Sequence, residues 1–269
     1  MKTTNIGFIG PGKVGCSFGR YIAESGVGFS VIGYYGRDKK PEELAAKCDL
    51  LFITVPDKNI AEVWTDTAEN LPERSEPLYV AHCSGSQSSE IFSPKSGCHF
   101  GSVHPILAVP DKQSSHEKFN GAYFTIEGDE EFLAVAEKLM TALGNPFSQI
   151  CADQKLKYHA ASVMVSNLVC ALAYEGMETF KDCGLDEEFA DHAWRSLFLE
   201  NAGNIASLGP VQALTGPVER GDAETMVKHL EALTGDAREI YLILSRVLIE
   251  TAQQKNLDRD YSKLRKLTK

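Results

Sequence analysis

Ile6-Gly7-Phe8-Ile9-Gly10-Pro11-Gly12-Lys13-Val14-Gly15 is a short apolar run that passes directly into G-x-G-x-x-G. The run reads as a strand. The residues after it place Val14, Phe18, Tyr21 and Ile22 on one face at helical spacing, so the segment reads as a helix. In a strand–turn–helix of this kind Gly10 makes the tight turn, Gly12 lets backbone approach a pyrophosphate, and Gly15 lets helix pack on strand. The helix N-terminus then offers free N–H groups and the positive end of its dipole to an anion. A tight surface turn is the alternative; the order of elements favours a dinucleotide site built on Gly10, Pro11, Gly12, Lys13, Val14 and Gly15.

A chain of 269 residues, 43% hydrophobic, can bury a substantial core in one large domain or two modest ones. It contains no uninterrupted apolar run of about 18 residues, and its start lacks the basic, apolar and small-residue succession of a signal peptide. The seven cysteines, with no C-x-x-C pair, fit a reducing cytoplasm better than a disulfide framework. A net charge of −10 without a basic block argues against nucleic acid or an anionic membrane as partner.

The second strand, Phe29 to Tyr35, bears on the choice of cofactor. An NAD site normally ends this strand in Asp or Glu, which accepts from the ribose 2′-hydroxyl. Here Tyr35 and Gly36 hold that place, followed by Arg37, Asp38, Lys39 and Lys40. Arg37 suits a 2′-phosphate, because a guanidinium pairs bidentately with phosphate, and the expectation is NADP (NADPH). A register shift of two would instead give Asp38 to the ribose.

After a short helix over 41–47, the run 49–55 reads as a strand buried on both faces. Ligands in open α/β sheets lie beyond the carboxyl ends of the strands, which puts Val55, Pro56 and Asp57 beside the cofactor. Asp57 is equally suited to cap the following helix, 58–67. Leu78 to His82 is a further strand ending in Cys83-Ser84-Gly85-Ser86, and His99 to Pro105 another, carrying His104. His82 and His104 can contact a substrate or bond neighbouring backbone. No C-x-x-C or H-x-x-x-H spacing supports a metal site, and none is expected. A strand at 122–127, a helix at 130–143 and a strand at 146–150 complete the alternation.

No strand pattern follows Asp153. The expected fold class is therefore α/β: a Rossmann dinucleotide-binding domain over residues 1–152 and an all-α domain over 153–269. The first helix of the second half, about 154–183, would run about 45 Å. It is mostly apolar, yet Lys155, His159, Ser162, Ser166 and Cys170 recur at spacings of three and four, and Asn167 lies beside them. Such a stripe is satisfied either by a cofactor cleft or by backbone carbonyls of its own helix. Helices at 187–202, from Asp222 to Leu233, and at 237–253 follow, the last apolar on more than one face. Thr215 and Arg220 fall in a loop, where Arg220 is either a clamp for a carboxylate or a surface arginine.

Gly10–Gly15, Tyr35-Gly36-Arg37, Thr54-Val-Pro-Asp57, His82-Cys-Ser-Gly85, Val103-His-Pro105, Tyr158 to Asn167 and Leu214 to Asp222 together resemble one family over nearly the full length. These are Rossmann-like proteins whose helical half was catalogued as a domain of unknown function, similar to deazaflavin-dependent NADP reductases, pyrroline-5-carboxylate reductases and β-hydroxyacid dehydrogenases. The resemblance implies a dimer through the helical half and, for some members, reduction of 2-dehydropantoate (ketopantoate) to pantoate with NADPH. The related dehydrogenases place a catalytic lysine four residues before an asparagine on this helix. Counting back from Asn167 gives Val163, so that proton donor is expected to be missing. The resulting expectation is a cytoplasmic NADPH-dependent reductase of a small 2-oxo acid, acting as a homodimer. His159 serves as acid, Asn167 and Ser166 orient the carbonyl, Ser84 and His104 bind from the sheet side, and Arg220 holds the carboxylate. An imine reductase and a non-catalytic NADP-binding sensor or scaffold are the alternatives.

Overall fold

Alternation along two short strands shows how the sheet is covered. Leu50 and Phe52 point into one apolar layer and Leu51 and Ile53 into the other, all buried. A computed structural model, describing residues 3–112 and 115–269, divides the chain into two compact units, 1–162 and 163–269.

The first unit is built from β1 (Thr4–Ile9), α1 (Lys13–Ser25), β2 (Phe29–Tyr35), α2 (Pro41–Ala45), β3 (Leu50–Ile53), α3 (Ile60–Asn70), β4 (Leu78–His82), β5 (Cys98–Pro105), β6 (Phe124–Gly128), α4 (Glu130–Leu143), β7 (Phe147–Gln149) and the start of α5 (Lys155–Met164). The strands form one sheet in the order β2-β1-β3-β4-β5-β6-β7. β1 to β5 pair in parallel, β6 runs antiparallel to β5, and β7 is parallel to β6. The sheet is Rossmann-like, and the order reverses between β1 and β3, the switch point where such sheets bind ligands. Phe18 and Ile22 of α1 and Phe132, Leu139 and Met140 of α4 close one face, and Leu44 of α2 with Ile60 and Trp64 of α3 close the other.

The second unit is helical: α6 (Asn167–Asp182), α7 (Glu187–Ala213), α8 (Pro217–Arg220), α9 (Ala223–Ala232), α10 (Gly235–Lys255) and α11 (Ser262–Leu267). Val218, Met226, Ile249, Ala252, Tyr261 and Leu264 form its buried core. Tyr261 Oη donates to the Glu219 carbonyl at 2.6 Å, and Asn256 donates to the Glu219 carboxylate at 2.8 Å.

Several elements differ from expectation. The division falls at Ser162/Val163 rather than at 152/153, because the opening turns of α5 pack into the first unit through Lys155 and Tyr158. The single helix expected over 154–183 is two, broken where Ser166 leaves helical geometry (φ −129°, ψ −81°). Short polar side chains such as Ser166 and Asn167 compete for nearby backbone groups and so weaken a helix interior. By length and composition a stretch within Ala152–Asp182 is apolar enough to cross a membrane, although it contains no uninterrupted apolar run of that length. α7 continues past 202 but kinks at Gly209, which has φ +76°. The expected loop around Arg220 holds the one-turn α8, started by Pro217 and ended by left-handed Gly221.

Candidate active site

Gly10 has φ +93°, a conformation open to glycine, and its amide donates to the Tyr35 carbonyl at 2.9 Å. Thr54, just beyond β3, holds this turn from beneath, its hydroxyl donating to the Gly10 carbonyl at 2.7 Å. A Cβ on Gly15 would stand 2.3 Å from Thr54 Oγ1, so this glycine is required by packing. A Cβ on Gly12 would find its nearest neighbour at 3.6 Å, so the fold itself leaves room for one there. Gly12 instead lines a cavity of about 720 Å³, whose walls include Gly10, Pro11, Gly36, Arg37, Lys39, Thr54, Val55 and Pro56. α1 follows its N-cap Gly12 with no side-chain cap and no acidic residue in its first turn, which leaves its N–H groups for an anion. These residues fit a dinucleotide.

Of the expected cofactor residues, Lys13, Val14 and Gly15 belong to the opening of α1, and Asp57 stands outside the cavity wall. Tyr35, Lys39 and Lys112 are additional wall residues. Lys39 Nζ rests 4.8 Å over the Tyr35 ring, which sets a cation beside Arg37 at the end of β2.

Farther along the same sheet edge, the turn after β4 is organised by Ser84. Its hydroxyl donates to Asp57 Oδ2 at 2.5 Å and accepts from the amides of Ser86 and Gln87 at 3.2 and 3.1 Å. Asp57 is therefore no side-chain cap for the following helix, and the Ser84 hydroxyl is occupied in shaping a turn. His82 is fully buried between the Ser84 amide and the Ser88 carbonyl, a structural role. Burial pushes its imidazole down to about 4. Burial likewise pushes the Cys83 thiol up to about 12, so it is no ready nucleophile.

Above this turn three side chains meet. His104 Nδ1 lies 2.7 Å from Tyr158 Oη, and its ring stands edge-on to His159 with centroids 6.0 Å apart. A Cβ on Gly85 would lie 2.5 Å from His159 Nδ1 and 2.7 Å from His104 Nε2, so both ring nitrogens converge over this glycine. Burial first, then the Lys155 charge, pushes His104 down to about 4, which makes it a neutral imidazole near pH 7. His159 Nδ1 is buried and has no hydrogen-bond partner among the described residues.

Behind them lies a lysine not expected to take part. Lys155 is fully buried; Nζ donates to Ser102 Oγ at 2.6 Å and to the Ser84 carbonyl at 3.3 Å, and stands 3.9 Å from Glu127 Oε2. Glu127 also accepts from Ser102 Oγ at 2.9 Å and Ser89 Oγ at 2.6 Å. Burial lowers the Lys155 ammonium from its usual range, with Glu127 acting against the shift. Counting from Asn167 overlooked this residue, which sits one helical turn before His159. The sequence signal was its place at the head of the polar stripe.

The structure brings Ser84, His104 and His159 together in the first unit. Ser166, Asn167 and Arg220 belong to the second: Ser166 Oγ lies 3.2 Å from Asn167 Oδ1 at the start of α6, and Arg220 is exposed at the end of α8. Among the described residues one group has metal-ligand types in reach of one another, His99, Asp129 and Glu131, but the Asp129 carboxylate already accepts from the amides of Phe132 and Phe100 at 2.8 Å each.

Residues 122–248 match the family described as a domain of unknown function, DUF2520. No curated protein matches the chain. Among solved structures, a Thermotoga maritima protein is similar at 27% identity and TM-score 0.71, covering 93% of this chain and 99% of its own. A Bacteroides fragilis protein described as a candidate NADP oxidoreductase has 23% identity and TM-score 0.67 over 93% and 99%. The pyrroline carboxylate reductase of Plasmodium falciparum, solved with NADP bound, has 16% identity and TM-score 0.58 over 95% and 97%. The last two likenesses show the shared fold.

Proposed function

We propose that this chain is an NADPH-dependent reductase of a small 2-oxo acid, with 2-dehydropantoate as the preferred substrate. The observation that carries the reading is the convergence of His104 Nε2 and His159 Nδ1 over Gly85, on the sheet edge that also bears the dinucleotide-type cavity. Bound NADPH supplies hydride. Arg37 and Lys39 favour its 2′-phosphate, since no acidic residue ends β2 to accept from a ribose.

A ketone oxygen that gains negative charge needs hydrogen-bond donors and a proton. Tyr158 fixes the ring of neutral His104, and His159 Nδ1, unpartnered in the fold, is assigned as the proton donor. Lys155 is assigned a positioning role: its ammonium is sealed from solvent and holds the Ser84 carbonyl, and with it the turn carrying Gly85. Ser166 and Asn167 are assigned to orienting the carbonyl and Arg220 to the carboxylate, roles that suit their chemistry. A homodimer through the helical unit is supported by the exposure of Leu168, Leu172, Leu197, Leu199 and Val247.

A second reading, imine reduction of the pyrroline-carboxylate type, draws support from the exposed Asp57 carboxylate, which would favour a cationic iminium. The test is NADPH oxidation by the purified protein with 2-dehydropantoate, other 2-oxo acids and pyrroline-5-carboxylate. Turnover of 2-dehydropantoate above the others is the expected result. Preference for the imine selects the second reading, and binding of NADPH without oxidation across the panel removes both.

A further inference from the structure

The cavity that would hold the dinucleotide receives cations from two directions. Arg37 and Lys39 enter from the turn after β2, and Lys112 from the connection between β5 and β6. The two carboxylates in its wall, Glu62 and Asp66, both lie on α3. A phosphate must therefore be held away from α3, between the α1 N-terminus and these cations.

Lys112 is fixed beside α1 by a specific bond. Ser17, on the second turn of that helix and fully buried, donates its hydroxyl to the Asp111 carbonyl at 3.2 Å. A buried serine spent on a distant loop carbonyl tethers the backbone next to Lys112. The tether leaves the lysine side chain exposed and in the cavity wall with Gly10, Pro11 and Gly12. Helix N–H groups, an approachable glycine backbone and a tethered ammonium are the parts of a pyrophosphate site.

Resting on the dinucleotide reading above, we infer that Lys112 is a pyrophosphate-binding residue, placed by the Ser17–Asp111 bond and separate from the 2′-phosphate residues at the end of β2. Every dinucleotide carries the pyrophosphate, whereas NADPH alone carries the 2′-phosphate. Lys112 should thus contribute to affinity without contributing to the choice between NADPH and NADH.

The experiment is a titration of the wild-type protein, Lys112→Ala, Ser17→Ala and Arg37→Ala with NADPH and with NADH at low ionic strength, read by calorimetry or cofactor fluorescence. Lys112→Ala is expected to weaken both nucleotides by the same factor, about five-fold, the upper range for one solvent-exposed ion pair. Ser17→Ala should give a smaller loss, again shared by both, and Arg37→Ala a loss for NADPH alone. Added salt should shrink the Lys112 effect. Unchanged affinity of Lys112→Ala for both nucleotides, with wild type binding normally, overturns the assignment, as does a loss confined to NADPH. A wild-type protein that binds neither nucleotide removes the dinucleotide reading and this inference with it, an outcome distinct from the other two.

Discussion

Ser84 Oγ donates to Asp57 Oδ2 across 2.5 Å, joining the turn after β4 to the turn after β3. The bond connects the segment that lines the cavity through Val55 and Pro56 with the segment that carries Gly85 beneath two imidazoles. Asp57→Ala removes the acceptor and leaves the Ser84 hydroxyl with its two amide donors and the Ser86 hydroxyl at 3.3 Å. Because Asp57 is exposed, the stability cost should be about 1 kcal/mol, a fall in Tm of roughly 2–4 °C for a chain of this size. Turnover should fall at least about ten-fold, while NADPH affinity stays within about three-fold. Steady-state kinetics beside a binding titration checks this; unaltered kcat would show that the link has no functional weight.

Gly85→Ala tests the imidazole pair. The added methyl would meet His159 Nδ1 at 2.5 Å and His104 Nε2 at 2.7 Å, so at least one ring must move. Overpacking of this kind costs about 1–3 kcal/mol. We expect a folded protein, judged by circular dichroism, that binds NADPH like wild type and turns over at least about a hundred-fold more slowly. Activity retained in this variant would argue that neither ring needs its observed place.

Lys155 and Glu127 form a buried pair through Ser102, and removing one partner leaves the other charged and sealed from water. Lys155→Met and Glu127→Gln should each destabilise by about 3–5 kcal/mol in chemical denaturation. The double variant should recover a large part of that loss, since no uncompensated charge remains. Additive losses in the double-mutant cycle would mean that the two groups act independently.

How much of this was legible beforehand follows from the range of the interactions. Gly10 to Gly15 and the helix over 130–143 were read directly, because turn chemistry and apolar spacing are local. β6 was read as a strand but its antiparallel direction was not, since no tight hairpin turn joins it to β5. The partners of Asp57 and Lys155 were also out of reach: Ser84, in the turn after β4, is 27 residues from Asp57, and Ser102, on β5, is 53 from Lys155. A lysine in a mixed stripe can be assigned to a cleft or to backbone carbonyls, but not to a buried carboxylate on another strand until the fold is known. Asp57 read as a helix cap for the same reason, because its hydroxyl partner comes from the turn after another strand.

Acid should unfold the first unit through its histidines. His82 is held near 4 in the fold against about 6.5 in an unfolded chain. Below pH 6.5 the unfolded chain takes up a proton that folded His82 refuses, so stability present above 6.5 is lost as pH falls toward 4. His104 titrates in the same sense. For His82 alone the loss should approach about 3 kcal/mol. Denaturation at pH 7 and pH 5 in wild type and His82→Asn checks it: the variant should be less stable at pH 7 but show a shallower decline between the two.

Gly12→Ala and Gly15→Ala separate folding from binding within one motif. The Gly15 methyl would collide with Thr54 Oγ1 at 2.3 Å and with the Gly10 carbonyl at 2.8 Å, so this variant should lose stability by about 1–3 kcal/mol whether or not nucleotide is present. The Gly12 methyl meets nothing closer than 3.6 Å, and its φ of −80° is open to any residue, so the melting temperature without nucleotide should stay within about 2 °C of wild type. The methyl would nevertheless occupy the space a pyrophosphate needs beside the α1 N-terminus. NADPH should therefore stabilise wild type on heating and fail to stabilise Gly12→Ala. Equal stabilisation of the two by NADPH would place the phosphates elsewhere and make Gly12 an ordinary turn residue.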